Sequence, residues 1–194
     1  MRCFGDGDPL YERYHDEEWG RPVLDERGLF ERLCLEAFQS GLAWITILRK
    51  REAFRAAFAG FDPEAVAAFG DADRARLLAD AGIVRNRLKV DAAIANAQAV
   101  LTLRDGDVPF ADLVWSFAPP PRAAAPATFA EVPAVTPEST ALAKELKRRG
   151  FRFVGPTTAY ALMQAVGMVD DHVAGCPWRA DVERTRAAAL TTSR

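Results

Sequence analysis

Residues 147–176 read KRRGFRFVGPTTAYALMQAVGMVDDHVAGC, and the order of residue types in this stretch decides the fold. Helix-forming residues run from 139 to 149, Gly150 supplies a natural C-cap, and Gly155-Pro156 can open a second helix with proline in its first turn. That second helix carries Ala159, Leu162, Met163 and Val166 on one apolar face. Its N-terminus would point unpaired N–H groups and the positive end of a dipole outward, where Arg148, Arg149 and Arg152 also gather. A nucleic-acid phosphate is a natural guest for such an end. The same residues equally describe an ordinary αα-hairpin with solvated arginines.

The stretch closes with His172 and Cys176, which would share one face of a helical segment. The chain has 2 histidines and 3 cysteines, and Cys3 and His15 lie near its start. Cys3, His15, His172 and Cys176 therefore make up a two-cysteine, two-histidine set for tetrahedral zinc, which would staple the two ends together. The spacing is not that of a standard finger, so spacing alone leaves open a terminal thiol beside unrelated histidines.

Outward from this stretch, 194 residues with 49% hydrophobic content suffice for one core. We read residues 1–178 as a single helical domain, with the hairpin at about 139–167 and a C-terminal tail at 179–194 that could form a frayed helix. The net charge of −2 argues against a broadly basic coat, so nucleic-acid binding would use local patches. Three cysteines and no signal-like start fit a reducing cytoplasm, and no apolar run reaches bilayer length.

The opening 20 residues are dense in aromatics and turn formers and read as an irregular segment packed onto the domain. Apolar spacing predicts helices at 25–37, with Asp25 as N-cap, and at 43–58 beyond a break at Gln39-Ser40-Gly41-Leu42. Further helices are expected at 63–69, 72–79 and 84–103, whereas 118–137 is too rich in proline for regular helix and reads as a strap. No window shows sustained strand alternation, so the expected class is all-α. Cys34 sits on an apolar helix face as core filler. Glu36 is the misplaced carboxylate: bracketed by Leu35, Phe38 and Trp44, it needs a partner or a ligand unless it faces solvent. Tyr14, Trp19 and Trp44, taken singly, read as core.

Taken together, YHDEEWG (14–20), CLEAFQSGLAWITIL (34–48), FDPEAVAAF (61–69), AGIVRNRLK (81–89), VWSFAP (114–119) and KELKRRGFRFVGPTTAYALMQAVGMVDDH (144–172) resemble the 3-methyladenine DNA glycosylase I family. The blocks are collinear with that family over roughly residues 3–176. The resemblance implies a helix-hairpin-helix glycosylase fold and a structural zinc on Cys3, His15, His172 and Cys176. It also implies double-stranded DNA containing alkylated adenine as partner, at the nucleoid, with no membrane and no obligate protein partner. The base pocket would be Tyr14, Glu36 and Trp44 with Trp19 nearby, Glu36 serving catalysis. DNA would be held by the hairpin through Arg152, Val154, Gly155 and Thr157, and Gly41-Leu42 would fill the gap left by a flipped base.

Two positions bear on mechanism. Strand-cutting relatives carry a lysine where this chain has Thr157, so a monofunctional hydrolase is expected. Asp170 stands two residues before His172, as a catalytic aspartate does in many of the superfamily; in the resembled family such a residue would instead cap a helix or orient a zinc ligand. The chain also departs from the family by reading Phe4-Gly5-Asp6 where a tryptophan is usual. The sequence-level alternatives to an excision enzyme are a catalytically idle DNA-binding or damage-recognition module of the same fold, and a zinc-stabilised helical interaction domain.

Overall fold

Asp and Pro set the first helix: Asp8 accepts from the N–H groups of Leu10 and Tyr11, and Pro9 fills the first helical position. This helix, α1 (Pro9–Glu17), corrects the expectation of an irregular opening. Its apolar residues do not form a stripe because Tyr14 and His15 are buried toward different partners. The chain continues through α2 (Glu26–Gln39), α3 (Trp44–Ala57), α4 (Pro63–Ala67), α5 (Asp71–Ala79), α6 (Arg87–Arg104), α7 (Phe110–Trp115), α8 (Pro137–Arg148), α9 (Pro156–Ala165) and α10 (Arg179–Thr192). The computed structural model describes residues 1–106 and 108–192, and among these there is no strand. No helix is long and apolar enough to cross a membrane.

Helix α2 lies at the centre, with eight buried positions: Leu29, Phe30, Leu33, Cys34, Leu35, Glu36, Ala37 and Phe38. Phe38, Phe54, Phe58 and Phe61 form a ring cluster against it, with Phe58 and Phe61 stacked at 5.6 Å. Cys34 belongs to this core, and burial pushes its thiol well above the ordinary range. Helix α6 begins at Arg87, later than apolar spacing predicts, because the Asn86 side chain accepts from the Lys89 N–H and fixes the cap.

Between α8 and α9 the chain makes the expected hairpin. Gly150 adopts φ +93°, its N–H bonds Lys147 O and the Phe151 N–H bonds Leu146 O, a Schellman ending that only glycine enters without strain. Residues 116–136 form the strap, relieved by one 3₁₀ turn at Phe129–Glu131 and tied down by Ala174 N–H to Pro126 O at 2.9 Å. Residues 167–178 are not helical, so His172 and Cys176 do not share a helix face; two turns bring them inward instead. Helix α10 docks on this segment: Val182 is fully buried, Arg21 pairs with Asp181, and Arg186 donates to the carbonyls of Gly167 and Met168.

Candidate active site

Four of the expected site residues line one cavity of about 170 Å³. Helix α1 and its exit turn deliver Tyr14 and Trp19, the buried face of α2 delivers Glu36, and the first residue of α3 is Trp44. Tyr14 and Trp44 stand with ring centroids 5.2 Å apart and planes tilted by 45°. Glu36 is 5% exposed, and its Oε2 is buried without a hydrogen-bond partner among the described residues. Burial raises its carboxyl to about 8, only partly opposed by Arg32. The indole N–H of Trp44 is the second buried, unpartnered polar group on the same cavity. An acceptor and a donor so placed, among aromatic faces, are suited to a planar polar ligand.

The cavity also has walls that sequence reasoning missed. Phe4, Tyr11, Gln39, Phe129, Ala161 and Gln164 complete it. Phe4 sits edge-on to Trp19 at 4.9 Å and to Phe129 at 5.8 Å, so the rings of the N-terminal loop and of the strap meet at its mouth. Phe129 is 44% exposed, and its only sequence signal is being the sole aromatic in the proline-rich run 118–137. The side chain of Gln164 is held by Asp171, which also accepts from the Tyr160 hydroxyl at 2.7 Å.

A larger cavity, about 540 Å³, shares no lining residue with the aromatic one; it lies under α10 and is lined by Arg122, Tyr160, Asp170, Arg186 and Leu190 among others. Its arginines are already committed, Arg122 to Asp171 and Arg186 to backbone carbonyls. Size therefore does not single out the candidate pocket; among the described residues, the aromatic cavity is marked by an unpartnered acceptor and an unpartnered donor among rings, Glu36 Oε2 and the Trp44 N–H, against Asp170 Oδ2 alone on the larger one. Asp170 faces this second cavity and not the aromatic one.

Beside the aromatic cavity lies the ligand cluster. Ligand atoms of Cys3, His15 and Cys176 all lie within 4.8 Å of one another. His172 adjoins them, its ring centroid 4.8 Å from that of His15 and its Nε2 buried without a partner. Each imidazole has its Nδ1 tied to a carboxylate at 2.8 Å, His15 to Asp16 and His172 to Asp170, which turns both Nε2 atoms away from those carboxylates. Burial holds His15 below the usual histidine range, so it is neutral, as a metal ligand must be. Two thiols and two imidazoles with carboxylate-oriented Nδ1 atoms fit a tetrahedral zinc.

The expected DNA-contacting residues form two protrusions. Gly41 (φ +82°) and Leu42 make a tight turn closed by the Leu42 N–H to Gln39 O, leaving Leu42 41% exposed. On the hairpin, Arg152 and Thr157 are exposed and Gly155 is at the N-terminus of α9, whereas Val154 is fully buried and belongs to the core. Arg148 and Arg149 are both paired with Glu145; Arg152 makes no ion pair among the described residues.

The profile of the methyladenine glycosylase family matches residues 4–180. The chain is 52% identical to the DNA-3-methyladenine glycosylase 1 of Escherichia coli (strain K12) over 170 residues, 87% of this chain and 91% of that protein. It is 44% identical to the DNA-3-methyladenine glycosylase of Haemophilus influenzae, again over 87% and 91% of the two chains. A solved structure of 3-methyladenine DNA glycosylase I from Staphylococcus aureus, described for its recognition of 3-methyladenine, superposes with a TM-score of 0.86 at 37% identity, covering 91% of this chain and 95% of that one. The profile spans both protrusions, the aromatic cavity and the ligand cluster apart from Cys3, and with these relatives it leaves one assignment: the chain belongs to the methyladenine glycosylase family.

Proposed function

We propose that this protein excises 3-methyladenine from alkylated double-stranded DNA by hydrolysing its N-glycosidic bond, without cutting the strand. The observation that carries this reading is the unpartnered carboxylate oxygen of Glu36, buried in an aromatic cavity it shares with the unpartnered Trp44 N–H. A module that only gripped the DNA backbone would have no use for two such groups, whose burial costs about 1–3 kcal/mol each.

A base in a duplex must leave the stack to reach such a cavity, at a cost of roughly a few kcal/mol. Leu42, exposed at its turn, would enter the gap, while the N–H groups at the start of α9 and Arg152 hold phosphates. Tyr14 and Trp44 would contact the flipped purine, and Glu36 would accept hydrogen bonds from the adenine edge. Methylation at N3 makes the base cationic, so the bond from C1′ to the ring nitrogen breaks with its electron pair passing to the base, which leaves neutral. Water adds its oxygen at C1′ and gives up one proton to solvent. Glu36 selects the cation over neutral adenine by charge, and Thr157 offers no amine for a Schiff base.

Zinc would be held by Cys3, His15, His172 and Cys176, and it would close the chain's ends structurally, with no part in bond breaking. The test is incubation with methylated duplex DNA followed by chromatography of the released bases. Retention of all 3-methyladenine in the DNA, with the duplex still bound, would leave the idle binding module in its place.

A further inference from the structure

Two buried polar side chains on α6 are unaccounted for by the cavity or the ligand cluster. Lys89 is 7% exposed and donates through Nζ to Phe38 O at 2.9 Å and Ser40 O at 2.6 Å. These are the terminal carbonyls of α2, which has no basic residue of its own in its last turn, and they immediately precede the Gly41-Leu42 turn. Asn96 is fully buried and grips Arg152 at both backbone groups: its Oδ1 accepts from the Arg152 N–H at 2.7 Å, and its Nδ2 donates to Arg152 O at 3.2 Å. The next residue, Phe153, sits at φ +55°, a strained conformation for a bulky side chain that a fixed neighbour helps to impose.

Lys89 and Asn96 are seven residues apart, two helical turns, so they project from one face with roughly 10 Å between them along the axis. Arg87 and Arg152 line one open polar groove of about 430 Å³ along the same helix, which places the start of α6 and the hairpin on a shared surface. From this we infer that α6 is a ruler: Lys89 and Asn96 are positioning residues that fix the separation between the Leu42 turn and the 151–155 hairpin, so that one duplex meets both. The inference rests on the DNA-glycosylase reading. Each loop has a closing bond of its own, Leu42 N–H to Gln39 O and Phe151 N–H to Leu146 O, but the carbonyls just before the first take an outside donor and the second carries a strained residue; a rigid helix joins them.

The test compares wild type with Lys89→Met, Asn96→Ala and the double variant, in two binding assays on the folded protein. Free 3-methyladenine, followed by tryptophan fluorescence, reports on the aromatic cavity. A duplex carrying a stable abasic-site analogue, followed by fluorescence polarisation, reports on the two protrusions together. Each single variant is expected to lose about tenfold in duplex affinity while free-base affinity stays within about twofold. The double variant is expected to lose little more than either alone, because one released end already frees the separation; distant residues with independent roles would show losses that multiply. Asn96→Asp keeps the acceptor for the Arg152 N–H and is expected to fall between wild type and Asn96→Ala, which covers the case of a poorly folded alanine variant. Unchanged duplex affinity, a parallel loss of free-base affinity, or multiplying losses would each overturn the ruler. Failure of the wild type to bind the free base or release it from DNA would instead strike the glycosylase reading.

Discussion

Asp170 holds His172 at two points through one oxygen: Oδ1 accepts from the His172 backbone N–H at 3.0 Å and faces its Nδ1 at 2.8 Å. The second oxygen, Oδ2, is buried without a hydrogen-bond partner among the described residues, and Arg179 stands 3.8 Å from it. A carboxylate in this relation fixes which ring nitrogen is free to meet a metal. With zinc held as proposed, Asp170→Asn is therefore expected to weaken its retention by about tenfold to a hundredfold, as changes behind a metal-bound histidine commonly do. Base release by the fully loaded variant should be close to wild type. Zinc content after graded chelation, with single-turnover kinetics at full occupancy, checks both halves. Abolished release at full occupancy would make Asp170 a participant in the chemistry.

Gly155 offers a test of the hairpin that spares the fold. A Cβ built there meets nothing within 4 Å, and its φ of −91° is open to any residue. Gly155→Glu should leave the melting temperature nearly unchanged while placing bulk and negative charge where phosphates would approach the start of α9. Affinity for an abasic-site duplex should fall at least tenfold, equally for all flanking sequences, because phosphate contacts carry no sequence information. Wild-type affinity in this variant would remove the hairpin from DNA binding.

Phe129 closes the mouth of the aromatic cavity from the strap, 5.8 Å from Phe4 and 6.2 Å from Trp19 by ring centroids. Base–aromatic contacts contribute about 1–3 kcal/mol on truncation, and the exposed edge of Phe129 puts it at the lower end. Phe129→Ala should weaken free 3-methyladenine by about fivefold to tenfold, Phe129→Tyr should restore it, and abasic-duplex affinity should not move. Equal free-base affinity in Phe129→Ala and wild type would show that the strap lies outside the binding surface.

Residues whose role follows from local pattern were legible in the sequence: Asp25 as a cap, Gly150 and Gly155-Pro156 around the hairpin, Cys34 in the core. Glu36 stood out because a carboxylate inside an apolar run is locally anomalous. Helix α1 was hidden by its own contacts, since Tyr14 faces the cavity and His15 the ligand cluster, which leaves no single apolar stripe. Lys89 and Asn96 were invisible for a different reason. Their partners lie 51 and 56 residues away, so each reads as an ordinary polar position on a helix until the chain is folded. Phe129 likewise acquires a meaning only when Ala174 ties the strap beside the cavity.

Glu36 joins stability and function with opposite signs. Burial raises its folded-state pKa from 4.5 to about 8. Between those values the folded chain keeps a proton that the unfolded chain has released, so the contribution to stability is present below about 4.5 and is lost as the pH rises to about 8. The slope is roughly 1.4 kcal/mol per pH unit. Glu36→Gln keeps the shape without the titration, so the ligand-free variant should be more stable than wild type at pH 8 and nearly equal to it near pH 4, as urea unfolding can show. On the proposed function the cationic base would reverse the preference, because the ionised carboxylate would hold it and its binding would expel the proton. Wild-type affinity for methylated duplex should therefore climb with pH, by up to tenfold per unit, and flatten above about 8. In Glu36→Gln that climb should vanish, and base release at pH 8 should be slower by about tenfold to a hundredfold, the worth of a buried charge-assisted hydrogen bond. A variant that is at once more stable and less active cannot be explained by unfolding. A flat wild-type profile together with undiminished release by Glu36→Gln would take the carboxylate out of substrate recognition altogether.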